Sequence, residues 1–211
     1  MPVTELVFPL YKPDPQSLEE LKQKENQIFQ SFCGVEGLKA AFRGVVLEDN
    51  GVAVDPKTRG ILVLELDWTD SSSFHTFYPT SPNYASFGTM FTPFVAAPAT
   101  PELYEAGGRS LSCTSSNFVQ IIKVKSSKAT EEAWKRLEES LREFGIKTPN
   151  FYHANGIEKD EGVFLGLIGW RSWQEYERVG KDISFLEHLK ELSNNETAQN
   201  LITQLTLLNE V

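Results

Sequence analysis

Thiols, thioethers and imidazoles are scarce in this sequence: two cysteines, two methionines and three histidines among 211 residues. Cys33 and Cys113 lie far apart without CxxC spacing, so they read as reduced thiols rather than as a disulfide framework. His75, His153 and His188 form neither an HxH nor an HExxH pattern, which argues against a dedicated metal site. No apolar run approaches the ~20 residues of a membrane span. The N-terminus, MPVTELVFPLYKP, has no basic segment leading into a long apolar one, so no secretory leader is expected. The expected compartment is therefore cytoplasmic, and Asn195-Glu196-Thr197 is read as a chance match to a glycosylation acceptor. Lysine and arginine total 20 against 29 acidic residues, a net charge of −9, with no basic cluster. This balance excludes nucleic acid and anionic membranes as expected partners. There is no Walker A loop, no GxGxxG after a strand and no GxSxG. Nucleotide binding, flavin binding and serine-hydrolase chemistry are thus not indicated.

What the chain does contain is apolar residues (40%), aromatics (11%) and an internal repetition. Gly60 to Ser72 reads GILVLELDWTDSS, and Gly162 to Ser172 reads GVFLGLIGWRS. In each, a glycine opens an apolar run and a tryptophan closes it (Trp68, Trp170). A helix-capping residue follows two positions later (Asp70, Ser172). The flanking segments repeat in the same order. The first half opens with the apolar strand TELVFPLY, ended by Pro13 and Pro15. A helix follows with a Ser17/Glu20 capping box and a stripe of Leu18, Leu21, Ile28 and Phe32. Then come the strand LKAAFRGVVLED, the Trp68 strand, a helix broken by Pro79 and Pro82, and a brief strand within PATPELYE. The second half has the strand FVQIIKV and a helix capped at Thr130, with Trp134, Leu137, Leu141 and Phe144 on one face. A strand in PNFYHANGIE and the Trp170 strand follow, then a helix from a Ser172/Glu175 capping box. Residues 201–211 are expected to hold a helix end and a last strand.

The pattern β-α-β-β-α-β, written twice, predicts an α+β fold of two tandem ferredoxin-like repeats, residues 1–108 and 109–211. The boundary is placed in the small, polar segment EAGGRSLSCTSS. Each sheet has apolar residues on both faces, so the two antiparallel sheets are expected to pack into an intramolecular α+β barrel.

The strand-Trp-x-[Ser/Asp]-helix motif occurs twice, and SPNYASF and PELYE follow in the first copy. These features resemble the antibiotic-biosynthesis-monooxygenase group of dimeric α+β barrels, especially its tandem-repeat fungal members, over nearly the whole chain. That superfamily includes cofactor-free oxygenases acting on aromatic polyketides, cyclases, decarboxylases, isomerases, haem-binding relatives and stress proteins of no assigned activity. The resemblance implies an enzyme of secondary metabolism. It would act on a hydrophobic, polyketide-like or aromatic small molecule by cofactor-independent acid/base chemistry. The alternative is a non-catalytic ligand-binding or stress-response barrel. No cofactor is expected, the exception being a haem held by His75 or His153. A monomer and a homodimer both remain open.

The default site is a cavity between the two sheets. By alternation Glu65 shares a face with Ile61, Val63 and Asp67, opposite Leu62, Leu64, Leu66 and Trp68. A carboxylate is disfavoured beneath helices, so Glu65 is placed toward the barrel interior. There burial would raise its pKa and make it a candidate general base. The bland reading is a salt-bridged or rim carboxylate. His75 is a pocket-bordering residue by the resemblance, and otherwise solvent-facing. His153, roughly equivalent to Arg43 in the other repeat, is a candidate proton shuttle or a satisfied sheet-face histidine. Arg43, Asp67, Trp68, Tyr152, Trp170 and Tyr176 are candidate substrate contacts, the aromatic ones equally suited to filling core. The second repeat has Leu167 where the first has Glu65, as an asymmetric site would.

Overall fold

In the computed structural model, residues 1–55, 62–97, 99–146, 150–192 and 198–210 are described. Gly60, Ile61 and the Asn195–Thr197 acceptor lie outside them. Eight strands carry the architecture: β1 (Val3–Val7), β2 (Leu38–Asp49), β3 (Leu62–Trp68), β4 (Glu102–Glu105), β5 (Phe118–Lys125), β6 (Phe151–Gly156), β7 (Val163–Trp170) and β8 (Gln199–Glu210). They are hydrogen-bonded in the order β8-β5-β7-β6-β4-β1-β3-β2, and β2 pairs back onto β8. The result is a closed, antiparallel, eight-stranded α+β barrel. Its first four strands follow the ferredoxin-like order β4-β1-β3-β2, and its last four follow β8-β5-β7-β6. Closure leaves neither repeat with an unpaired sheet edge at the seams.

The two seams differ. β2 and β8 pair from Leu201↔Asp49 to Glu210↔Ala40. β4 and β6 meet only at Tyr104↔Gly156 and Glu105↔Asn155. The expected helix end near residue 201 is strand instead. Leu201 and Leu205 fill the barrel interior while Ile202 packs toward the helices, the two-residue alternation of a strand.

Helices α1 (Pro15–Phe29), α2 (Ser71–Phe77) and α3 (Pro82–Phe91) cover the outside of the first repeat, α4 (Leu111–Thr114) packs against the barrel interior, and α5 (Lys128–Glu143) and α6 (Ile183–Leu192) cover the second. The residues Trp173–Glu175 run into a π-helical turn, Tyr176–Gly180, ahead of α6. Two N-caps differ from those expected. Asp14, not Ser17, caps α1 by accepting from the Ser17 amide at 2.8 Å, with Pro15 in the first turn, where its missing N–H costs nothing. Ser127, not Thr130, caps α5 by accepting from the Thr130 amide at 3.1 Å. Ser127→Ala is therefore expected to destabilise the protein by about 1 kcal/mol. In a chain of this length that lowers Tm by about 2–4 °C in a thermal melt.

Side chains bury into three cores. Leu6, Phe42, Val63, Leu165 and Leu167 pack inside the barrel. Phe29, Phe32, Trp68, Phe77 and Phe91 lie between the first repeat's sheet and its helices. Trp134, Leu137, Phe164, Trp170 and Phe185 do so in the second. The two helix-side cores are filled differently. Trp134, seven residues after the α5 cap, lays its ring where a Cβ on Gly166 would lie only 2.3 Å away. The first repeat has Leu21 seven residues after the α1 cap and Leu64 in the Gly166 register. A large ring on a glycine fills the second core at this level; in the first, Leu64 borders an open space.

Candidate functional site

That space is a chamber of about 670 Å³, counting its open mouth. Val7, Leu64 and Leu66 form its floor on the outer face of β1 and β3. Phe77, Tyr78, Tyr84, Phe87 and Phe91, from α2, α3 and the residues between them, form its roof. This chamber lies on the face of the sheet opposite to the one between the sheets where a cavity was expected. The barrel interior is occupied by the apolar side chains of its own core.

One ionisable side chain on the chamber floor is a carboxylate under helices. Glu5 alternates with Val3 and Val7 on β1, and its side chain is 5% exposed. Trp68 Nε1 donates to Glu5 Oε2 at 2.8 Å. Burial pushes the Glu5 carboxyl up to about 7, and the Trp68 bond pulls back against it. The position is ready to hold or release a proton near neutrality. Above it, the Tyr78 and Tyr84 rings meet edge to face at 4.9 Å. Burial pushes the Tyr84 hydroxyl up, with Tyr78 and Glu5 adding to the effect.

The second repeat lacks this arrangement. By register Glu5 corresponds to Gln120, and Trp68 to Trp170. Gln120 donates to Asn200 Oδ1 at 2.8 Å instead. Trp170 Nε1 is buried with no hydrogen-bond partner among the described residues. The chain thus keeps both tryptophans but places a carboxylate under only one.

A second buried acidic group lies on the other face of β3, inside the barrel. Glu65 and Asp67 point there, as the alternation along β3 predicts, and are 0% and 1% exposed. The segment joining the repeats reaches into the barrel at α4 and delivers Ser110 between them. Ser110 Oγ lies 2.6 Å from Glu65 Oε1 and 2.7 Å from Asp67 Oδ1. Thr4 Oγ1 donates to Asp67 Oδ1 at 3.2 Å and sits 3.1 Å from the Tyr152 hydroxyl. One hydroxyl has one proton and cannot donate to two carboxylates, so one carboxyl carries its own. Asp67 receives Thr4, and the Ser110 and Leu111 amides favour its charge, so Glu65 is the member of the pair that holds a proton more strongly. Burial, then the Asp67 charge, push Glu65 well above the ordinary carboxylate range, and burial also raises Asp67.

The remaining candidate residues are dispersed. His75 is half-exposed on α2, its Nε2 2.6 Å from Glu158 Oε1. His153 is on the outer side of β6, half-exposed, stacked on Phe164 and 3.6 Å from Glu138. Arg43 pairs with Glu25 of α1. Trp170 and Tyr176 are buried in the second helix-side core, and Tyr176 donates to Glu48 at 2.7 Å. The structure brings Glu65, Asp67 and Tyr152 together inside the barrel, and Trp68 onto Glu5. It keeps both histidines away from either group. Glu5 escaped the sequence reading, although its alternation with Val3 and Val7 was there to be seen.

Among the described residues no cluster of three or more His, Cys, Asp and Glu side chains is placed to hold a metal ion. The chamber lining contains no histidine, cysteine or methionine. A histidine-ligated haem therefore does not fit it. Among the described residues no helix is long and apolar enough to cross a membrane.

No family model and no curated protein matches the sequence. Solved structures match the fold. A provisionally assigned monooxygenase from Lactobacillus acidophilus NCFM is 12% identical, with a TM-score of 0.58 over 100% of this chain and 98% of that one. An anthrone oxidase-like protein is 12% identical, with a TM-score of 0.64 over 99% and 94%. A mutant chlorite dismutase from Candidatus Nitrospira defluvii is 10% identical, with a TM-score of 0.56 over 98% and 92%. The fold is that of the antibiotic-biosynthesis-monooxygenase-like dimeric α+β barrels, with the barrel closed within a single chain.

Proposed function

We propose that the chain is an enzyme that takes a flat aromatic ketone or phenol into the first-repeat chamber, where Glu5 removes a weakly acidic proton. The single observation that carries this reading is a buried carboxyl, raised to about 7, on the floor of an aromatic-roofed chamber. Desolvation makes Glu5 a stronger base than a surface carboxylate, and a base near neutrality works efficiently at cellular pH. Trp68 holds Oε2, leaving Oε1 to meet the substrate. The aromatic roof accounts for a planar, apolar substrate. The anion left behind would react directly with O2, as in an oxygenase. The monooxygenase and anthrone oxidase-like names among the neighbours of the same fold favour that course. In the case of anthrone, one O2 is consumed and one water released as the ring CH2 becomes a carbonyl.

Anthrone is the probe to use. Enzyme-dependent O2 uptake and anthraquinone formation are expected. Only ionised Glu5 can accept the proton, so kcat/KM should rise with pH and level off above about 7. Binding without turnover, across anthrone and simple phenols, would favour a ligand-carrying barrel instead. Absence of binding would remove both readings.

A further inference from the structure

The chamber has a neighbour. A groove of about 540 Å³ lies on the far side of Tyr78 and Pro101, which line both spaces. Its floor is apolar, with Phe74, Pro79 and Leu103. Its far wall comes from the other repeat. The 3-10 turn Glu158–Asp160 between β6 and β7 is clamped onto β4: Leu103 N–H donates to Asp160 Oδ2 at 2.9 Å, and Ile157 N–H to Leu103 O at 2.9 Å. The clamp holds Glu158 at φ 57°, a left-handed conformation unusual for a side chain of this kind. That strained residue sets its carboxylate against His75.

We propose that this groove is the outer subsite of the chamber, taking a hydroxyl-bearing arm attached to the aromatic nucleus. The inference rests on the chamber being a ligand site. A ligand that fills the chamber and continues past Tyr78 must run over Phe74 and Leu103, and it then meets the His75–Glu158 pair. The pair presents a carboxylate whose Oε1 lies 2.6 Å from His75 Nε2. A hydroxyl complements it by giving its proton to that carboxylate, which accepts more than one hydrogen bond, while His75 holds it in place. A negative charge on the arm would be opposed by Glu158 and Asp160, and a positive one by Lys159, all of which line the groove. The substrate class is therefore an aromatic ketone or phenol with a neutral hydroxylated side arm. The fused second repeat contributes to its recognition without supplying a second reaction centre.

Three probes test this by titration of the intact protein: 2-naphthol, 6-butyl-2-naphthol and 6-(4-hydroxybutyl)-2-naphthol. The hydroxybutyl compound is expected to bind about tenfold tighter than the butyl compound, the scale of one well-placed hydrogen bond. That gain should vanish in His75→Ala and in Glu158→Gly, while 2-naphthol binds as before. Both residues are half-exposed, and glycine adopts the left-handed backbone of Glu158 without strain, so loss of folding does not mimic the effect. If 2-naphthol binds but the hydroxyl gains nothing, or the gain survives in both variants, the outer subsite alone is overturned. If 2-naphthol does not bind the wild-type chain, the chamber reading falls and this inference with it.

Discussion

Glu5→Gln is expected to lower kcat/KM for the chamber's substrate by about 10²–10⁴, the usual worth of a positioned general base. Glutamine preserves shape, and its carbonyl oxygen still accepts from Trp68 Nε1. Ligand binding should therefore survive while proton abstraction is lost. Stability should change in the opposite direction. Folded Glu5 keeps its proton up to about 7, whereas the unfolded carboxyl, with an ordinary value of 4.5, has already released it. Between those two values the folded state binds more protons, so stability falls as pH rises through the window and the loss is complete above about 7. At 1.36 kcal/mol per unit this amounts to roughly 3 kcal/mol. Glu5→Gln removes the penalty, so the variant should be both less active and more stable than the wild type at pH 8. Such an exchange of stability for activity is expected of a buried functional charge. Steady-state kinetics and urea denaturation at that pH read both effects. Full activity in the variant would rule Glu5 out as the base.

The barrel and its repeat were legible because they rest on periodicity. Alternation along β3 put Glu65 with Val63 and Asp67, and the tryptophan motif marked β3 and β7 as equivalent. Alternation also assigns Glu5 to the helix side, with Val3 and Val7. What hid it was a sound average rule, that burying a carboxylate beneath helices is costly. The protein meets that cost with one indole N–H and a retained proton. The location of the chamber was less legible. Trp134 meeting Gly166 in one repeat, with Leu64 at the same register in the other, is visible only from the helix-to-strand register of both copies at once. His153 follows Tyr152, whose ring enters the barrel, so parity alone turns the histidine outward. The caps moved by three residues because serine, threonine and aspartate compete for the same role.

Ser110 tests the interior carboxyl pair, and here the expected effect is on stability. Ser110→Ala deletes the hydroxyl that Glu65 and Asp67 share, while Glu65 Oε2 and Asp67 Oδ2 already have no hydrogen-bond partner among the described residues. Leaving a buried polar group unsatisfied costs about 1–3 kcal/mol; Glu65 Oε1 loses its partner, while Asp67 Oδ1 keeps Thr4. The wild-type protein should show a pH dependence of its own. Glu65 is held protonated in the fold well beyond the ordinary carboxylate range, so unfolding releases a proton and stability falls as pH rises. Each proton so held gives a slope of about 1.4 kcal/mol per pH unit. The Glu5 contribution ends near 7, and Glu65 adds a loss of its own in the same direction. Groups facing Glu65 are Asp67 on the same strand, Glu5 across the sheet, Tyr152 from β6 and Cys113 from α4. None brings a positive charge that would lower it. Glu65→Gln keeps a donor toward Ser110 but has no proton to lose. Its urea midpoint should therefore fall less with rising pH than the wild type's, and be higher at the alkaline end. Parallel profiles for the two proteins would show that Glu65 is already ionised in the fold and that the shared-proton geometry at Ser110 is wrong.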